Sequence, residues 1–212
     1  RAASELPDTF VGAVWAMSEG GATSSLPSDP SRKVTQTCGV PFPGVTLKTI
    51  TEQGWVNPSG VEGELVMRTP SLCLSYVGHE ELYLQCFTGD GYFRTGDLAT
   101  LDDEGYMTIT GRVKDIIIRG GVNIAPVPIE SVLMTHPDIR EIAVVGMPDD
   151  RMGERICAVV VTHSGNPLIL EDLKPWLRSS ALPKRMWPET LVSVKSLPMT
   201  PAGKIRKRLL VE

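Results

Sequence analysis

At Gly111 the hydrophobic patterning of this 212-residue chain changes period, and that change limits what it can fold into. Before it, short β-like pieces (Val45–Ile50, Gly63–Arg68 and Tyr106–Thr110) are separated by the turn signals Gln53-Gly54, Pro58-Ser-Gly60 and Asp103-Glu-Gly105. Alternating strands with closely spaced turns predict a small β-rich unit, drawn as a distorted barrel. Residues 5–16 end in a short strand, residues 17–21 form a loop, residues 22–37 read as a polar loop with a turn at Asp29-Pro30, and residues 80–86 read as a short helix. After Gly111, helical and extended runs alternate. Ile124 to Met134 predicts a helix with Pro128 in its first turn, ended by His136-Pro137. Glu141–Met147 and Arg155–Thr162 predict strong strands, Leu170–Ser179 an amphipathic helix that Pro175 could shorten, Thr190–Val194 a third strand, and Lys204–Val211 a closing helix. The fold class is therefore α+β: residues 1–112 form a β-rich portion and residues 113–212 an α+β unit of ordinary domain size.

Composition narrows the function classes. Apolar residues make up 42% and charged residues 22%, as in an ordinary globular protein. A formal charge of −4 gives no global basic field for nucleic acid. The basic cluster from Lys204 to Arg208 suits a helix end. Cys38, Cys73, Cys86 and Cys157 form no CxxC pair, which argues against a zinc site or a disulfide framework. No apolar run approaches membrane-spanning length and no signal peptide is visible, so a cytoplasmic setting is expected. The chain opens with Arg1 rather than Met, so a true N-terminus is expected to be missing.

Several residues could carry chemistry, each with an ordinary alternative. Asp97 in Tyr92-Phe-Arg-Thr-Gly-Asp97 could accept the two hydroxyls of a ribose, or cap the next turn. Arg112 could pair with a ribose or phosphate, or lie free on the surface. Gly120-Gly121 marks a close backbone approach or a sharp turn. Ser18 and Glu19 could hold phosphate and a hard cation, or form a polar turn. Lys204, in Leu197-Pro-Met-Thr-Pro-Ala-Gly-Lys204, carries a compact charge suited to a developing anion; the alternative is a solvated lysine at a helix start. The three histidines share no motif with a nucleophile.

Taken together, Phe93-Arg-Thr-Gly-Asp97, Gly111-Arg-x-Lys-Asp-x-Ile-x-x-Gly-Gly121 and Leu197-Pro-x-Thr-Pro-x-Gly-Lys204 resemble the adenylate-forming enzymes. These comprise acyl-CoA synthetases, peptide-synthetase adenylation domains and luciferases. Asn123-Ile-x-Pro, Val145-Gly-Met-Pro-Asp149 and Gly153-Glu154 add to the resemblance, whose wording is most similar to medium-chain or aryl acyl-CoA ligases. It implies two half-reactions. A carboxylate and ATP give an acyl-adenylate, and the thiol of CoA then displaces AMP. It implies that Asp97 and Arg112 bind the ribose, that Trp15 lies by the adenine, and that Ser18 and Glu19 serve phosphate and Mg2+. Lys204 would act in adenylation only, Lys114 would be the hinge of a C-terminal lid, and Gly121 would let the CoA thiol pass.

The match departs from the family in places. Trp15-Ala-Met-Ser-Glu19 stands where Tyr-Gly-x-Thr-Glu is usual, and Val127-Pro128 replaces the more usual residues before the lid helix. The Gly/Ser/Thr-rich phosphate loop and most of the acyl pocket have no counterpart, so the chain corresponds to the end of the large domain plus the lid. Its expected partners are a small carboxylic acid, the missing N-terminal part, and an acetyltransferase and deacetylase acting on Lys204. Alone it should not adenylate. Two other readings stand beside a CoA ligase: an enzyme loading a carrier protein, and a lid-like binding module without catalysis.

Overall fold

The computed structural model describes residues 8–211, and their contacts divide them between a unit that ends at Val113 and another that begins at Lys114. The first unit holds two antiparallel sheets. One has the order β1 (Val14–Ala16), β2 (Ala22–Ser24), β3 (Val40–Pro41). The other has the order β4 (Thr46–Ile50), β5 (Gly63–Arg68), β6 (Phe93–Leu101), β7 (Met107–Arg112). They meet along one seam, where the Cys38 N–H donates to Met107 O and the Met107 N–H to Gly39 O. Leu65 and Met67 of β5, Phe93 and Ala99 of β6 and Met107 of β7 share a core with Trp15 of β1. Tyr83 joins it from helix α2 (Glu80–Gln85) and packs edge-on against Phe87, ring centroids 5.2 Å apart. Leu65, Met67, Phe93 and Met107 each contribute about 1.5–3 kcal/mol by leaving water.

The polar stretch 22–37 is not wholly loop, as the sequence suggested. It contains β2 and a short helix, α1 (Ser31–Gln36). No apolar stripe marks that helix because a charge holds it. Lys33 lies buried over the Tyr106 ring, 4.4 Å from its centroid, and its Nζ reaches Asp102 at 2.5 Å and Glu104 at 2.8 Å. The run expected to end in a strand does so in β1; its first residues, Glu5–Pro7, lie outside the described part.

The second unit is built on strand β11 (Gly153–Thr162). It pairs antiparallel with β10 (Ile139–Asp149) on one edge. On the other it pairs in parallel with β12 (Thr190–Ser193) and, at Gly153, with the hairpin of β8 (Ile117–Arg119) and β9 (Val122–Ile124). Its near-continuous apolar sequence is explained by burial on both faces. Ile156, Ala158 and Val160 face α3 (Pro126–Leu133) and α4 (Leu170–Ser179) through Ile129, Leu133, Leu173 and Leu177. Cys157, Val159 and Val161 face Leu197, Ile205 and Leu210, so the C-terminal segment covers the second face.

Helix α3 begins later than expected, at Pro126, because Ile124 belongs to β9. A proline at a helix start loses no hydrogen bond. Helix α4 runs through Pro175 to Ser179, its start held by Asp172 Oδ2 accepting the Ile169 N–H at 2.9 Å. The expected closing helix from Lys204 is corrected. Ile205 instead bridges to Met199, and only Lys207–Leu210 forms a 3-10 turn. Gly203, at φ +76°, reverses the chain, and Ile205 packs against the sheet face.

Candidate functional site

In the first unit, Asp97 and Arg112 are cross-strand partners on β6 and β7. Arg112 Nε lies 2.8 Å from Asp97 Oδ1. The other oxygen, Oδ2, accepts the Trp15 indole N–H at 2.9 Å. The Asp97 side chain is only 8% exposed while that of Arg112 is 49% exposed, so a buried carboxylate holds a guanidinium that faces outward. Each carboxylate oxygen can accept a second hydrogen bond. Asp97 does not cap a turn: it lies within a strand, just after a left-handed Gly96 (φ +72°) and next to the register shift between Leu98 and Ala99. Its own N–H donates to Thr95 Oγ1 at 3.1 Å.

Trp15 occupies an unexpected place. Its ring is buried in the core of the unit and its polar edge is committed to Asp97. A buried indole normally finds an acceptor, and the one it finds here is the candidate ribose ligand, 82 residues away in sequence.

The loop after β1 brings Ser18 and Glu19 together. Glu19 Oε2 accepts the Ser18 hydroxyl at 3.0 Å, and Oε1 accepts the Tyr76 hydroxyl at 2.9 Å. Burial pushes the Glu19 carboxyl up. The hydrogen bonds from Tyr76, the backbone and Ser18, with the Arg112 charge, outweigh it and leave the group below its ordinary value. Tyr76 is shifted upward by burial and by the Glu19 carboxylate, and stays a donor. The Arg112 effect links the Asp97 and Glu19 clusters electrostatically. Tyr76 had no signal in the sequence, being 57 residues from Glu19 with no motif around it.

Among the described residues no group of three or more His, Cys, Asp or Glu could enclose a metal. Magnesium commonly takes one or two carboxylates and completes its shell with phosphates and water. Glu19 and Ser18 fit an ion that arrives with a nucleotide. The four cysteines are free, and no helix among the described residues is long and apolar enough to cross a membrane.

In the second unit, Lys204 stands on a tight hairpin. Thr200 N–H donates to Lys204 O at 2.7 Å, Gly203 N–H to Thr200 O at 2.9 Å, and Lys204 N–H to Thr200 Oγ1 at 3.1 Å. Residues 201–204 are exposed, and Lys204 has no ion-pair partner among the described residues. It is thus a solvated lysine on a constrained turn rather than at a helix start. Gly120 and Gly121 form the turn between β8 and β9, both left-handed at φ +58° and +77°. Gly120 is the close approach: a Cβ there would lie 2.7 Å from Met152 Cε. At Gly121 a Cβ would meet nothing within 4 Å. Lys114 opens the second unit in an exposed 3-10 turn, Val113–Asp115. Lys204, Gly121 and Lys114 belong to this unit, whereas Trp15, Ser18, Glu19, Asp97 and Arg112 gather in the first.

Residues 128–204 match the family model of the AMP-binding enzyme C-terminal domain. The chain is 39% identical over 199 residues to a salicyl-AMP ligase/salicyl-S-ArCP synthetase of Mycobacterium tuberculosis, covering 93% of this chain and 35% of that one. It is 38% identical over 197 residues to a medium-chain fatty-acid–CoA ligase of Escherichia coli, covering 90% of this chain and 35% of the relative. Among solved structures, ATP-bound MatB of Rhodopseudomonas palustris matches with a TM-score of 0.82 at 33% identity, over 93% of this chain and 39% of that chain. The amide bond synthetase McbA of Marinactinospora thermotolerans matches with a TM-score of 0.82 at 34% identity, over 93% of this chain and 40% of that one. The chain therefore spans little more than a third of the length of these proteins.

Proposed function

Because the chain belongs to the adenylate-forming, AMP-binding enzyme family, we propose that it serves as the C-terminal part of an ATP-dependent carboxylic acid–CoA ligase. In this reading a substrate carboxylate oxygen bonds to the α-phosphorus of ATP as the bond to pyrophosphate breaks. The CoA thiol sulfur then bonds to the acyl carbon, giving up its proton, as the bond to AMP breaks. Asp97 and Arg112 hold the ribose, Trp15 keeps Asp97 in place beside the base, and Ser18 and Glu19 serve the phosphates. Glu19 would also hold Mg2+, which supplies charge neutralisation on those phosphates. Residues up to Arg112 complete the large domain, and the rest is a lid turning at Lys114.

The observation that carries this reading is the buried Asp97 paired across the strands with the outward-facing Arg112. An ionised acceptor beside a cation suits a diol next to a phosphate. The sequence holds no Gly/Ser/Thr-rich phosphate loop, so in this reading the chain by itself should give no ATP–pyrophosphate exchange. Joined to the N-terminal part, it should give carboxylate-dependent exchange and thioester. Exchange by the isolated chain, or none by the joined enzyme with any of a panel of acids, would overturn the proposal; the latter would favour a binding module.

Loading of a carrier protein is a second reading. It is favoured by the salicyl-S-ArCP synthetase among the relatives, whose identity equals that of the CoA ligase to within one percentage point. Supplying CoA or a phosphopantetheine carrier to the joined enzyme separates the two. Gly121→Leu should block transfer to either thiol and leave adenylation intact. The side chain has room within its own unit, so folding bears only the left-handed strain, on the order of 1–2 kcal/mol. Transfer at the normal rate by that variant would show that no thiol passes Gly121. Acetylation of exposed Lys204 would remove the charge that adenylation needs, and equal adenylation by acetylated and unmodified enzyme would exclude such control.

A further inference from the structure

Two exposed turns of the second unit, the Lys204 hairpin and the Gly120-Gly121 hairpin, are each rooted in a glutamate of the same construction. Glu130, on α3, accepts Lys207 Nζ at 2.7 Å and the Val144 N–H of β10 at 2.8 Å, both on Oε1. Lys207 lies three residues beyond Lys204. The pair is largely covered, with side chains 20% and 18% exposed. Between the two lysines, Arg206 N–H donates to Pro198 O at 2.8 Å and closes the base of the hairpin. One carboxylate thus ties helix, sheet and lysine hairpin together.

Glu189, at the entry to β12, repeats the arrangement. It accepts Arg119 Nε at 3.0 Å and the second Arg119 nitrogen at 2.8 Å, together with the Ile156 N–H of β11 at 3.3 Å. Arg119 immediately precedes Gly120-Gly121. The fork-like contact fixes direction as well as distance. Arg119 holds the Glu189 carboxyl below its ordinary value, against the opposing effect of burial. Glu189 in turn raises the Arg119 guanidinium.

We propose that Glu130–Lys207 and Glu189–Arg119 are two separate positioning anchors, the first setting the Lys204 hairpin for adenylation and the second setting the Gly121 hairpin for thiol transfer. The assignment to half-reactions rests on the ligase reading above; the separateness of the anchors does not. Tight turns with exposed tips hold a fixed direction only if their bases are fixed. Ile205 and Leu197 seat one base in the core and Ile117 and Ile124 the other, and a charged pair sharing its acceptor with a sheet N–H adds the directional contact that apolar packing lacks. Glutamine at either position keeps an oxygen for the sheet N–H and removes the charge that holds the cation.

Amide hydrogen exchange on the present chain tests the anchors without any activity. In Glu130→Gln, Thr200 and Arg206 should exchange about tenfold faster or more, as expected from losing a hydrogen bond between charged groups, while the β8–β9 amides stay unchanged. Glu189→Gln should do the reverse. Lys207→Met should reproduce Glu130→Gln, and Lys207→Arg should restore protection. Faster exchange throughout the unit in either glutamine variant, or no change at the nearby hairpin, would overturn the anchors.

In the joined ligase, Glu130→Gln should lower the rate of adenylation and spare conversion of preformed acyl-adenylate, with the opposite split for Glu189→Gln. Local exchange as expected with no split would retain the anchors and overturn their assignment to half-reactions. An unmutated joined ligase without activity would instead count against the ligase reading.

Discussion

Replacing Lys204 with alanine in the joined ligase is expected to slow acyl-adenylate formation by about 10²–10³-fold, the usual cost of removing one preorganised donor to a developing oxyanion. Conversion of preformed acyl-adenylate to thioester should proceed at close to its normal rate. The physical basis is the arrangement of the hairpin. Its backbone is closed by the Thr200–Lys204 and Arg206–Pro198 hydrogen bonds, while the lysine side chain has no ion-pair partner among the described residues. Among the described residues, therefore, no competing ion pair draws the ammonium away. ATP–pyrophosphate exchange measures the first step, and AMP release from synthetic acyl-adenylate with CoA measures the second. Equal loss in both would mean that Lys204 supports the fold or a step common to both. No loss in either would remove it from the chemistry.

Replacing Asp97 with alanine should weaken AMP binding to the joined enzyme by roughly 10²–10⁴-fold. This follows from losing two hydrogen bonds to an ionised acceptor at about 1.5–3 kcal/mol each. Part of the loss is indirect, because the same carboxylate receives the Trp15 indole and the Arg112 guanidinium. Trp15→Phe separates the contributions: it keeps an aromatic ring in the core and removes only the indole donor. It should weaken binding about tenfold through a less constrained Asp97. Calorimetric titration with AMP gives both values. Normal binding by Asp97→Ala would remove Asp97 from the nucleotide site. Normal binding by Trp15→Phe would leave Asp97 in place and show that the indole contact does not position it.

How far the sequence could be read differs between the two units for a physical reason. The paired strands β10 and β11 were plain because apolar runs of β-branched residues are needed where both faces of a sheet are covered. The segment 22–37 was misread because a helix held by the buried Lys33 charge carries no apolar period. The expected helix from Lys204 failed because local basic composition was outweighed by packing of Ile205 against Val159 and its neighbours. In the candidate site, Asp97, Arg112, Ser18, Glu19 and Lys204 could be named from local motifs. Trp15 could be named too, but its contact with Asp97 could not. Tyr76, Glu130, Lys207, Arg119 and Glu189 gave no such signal, since each acts through a partner distant in the chain.

By itself the sequence determined the α+β class, the change of patterning at Gly111 and the family, because periodicity, turn glycines and short motifs are local properties. Tertiary structure alone decided which carboxylate meets which donor. It gave Trp15 and Arg112 to Asp97, Tyr76 to Glu19, Lys207 to Glu130 and Arg119 to Glu189. Those pairings depend on strand register and on which face of a sheet a segment covers, and both are fixed only when the whole core of each unit packs.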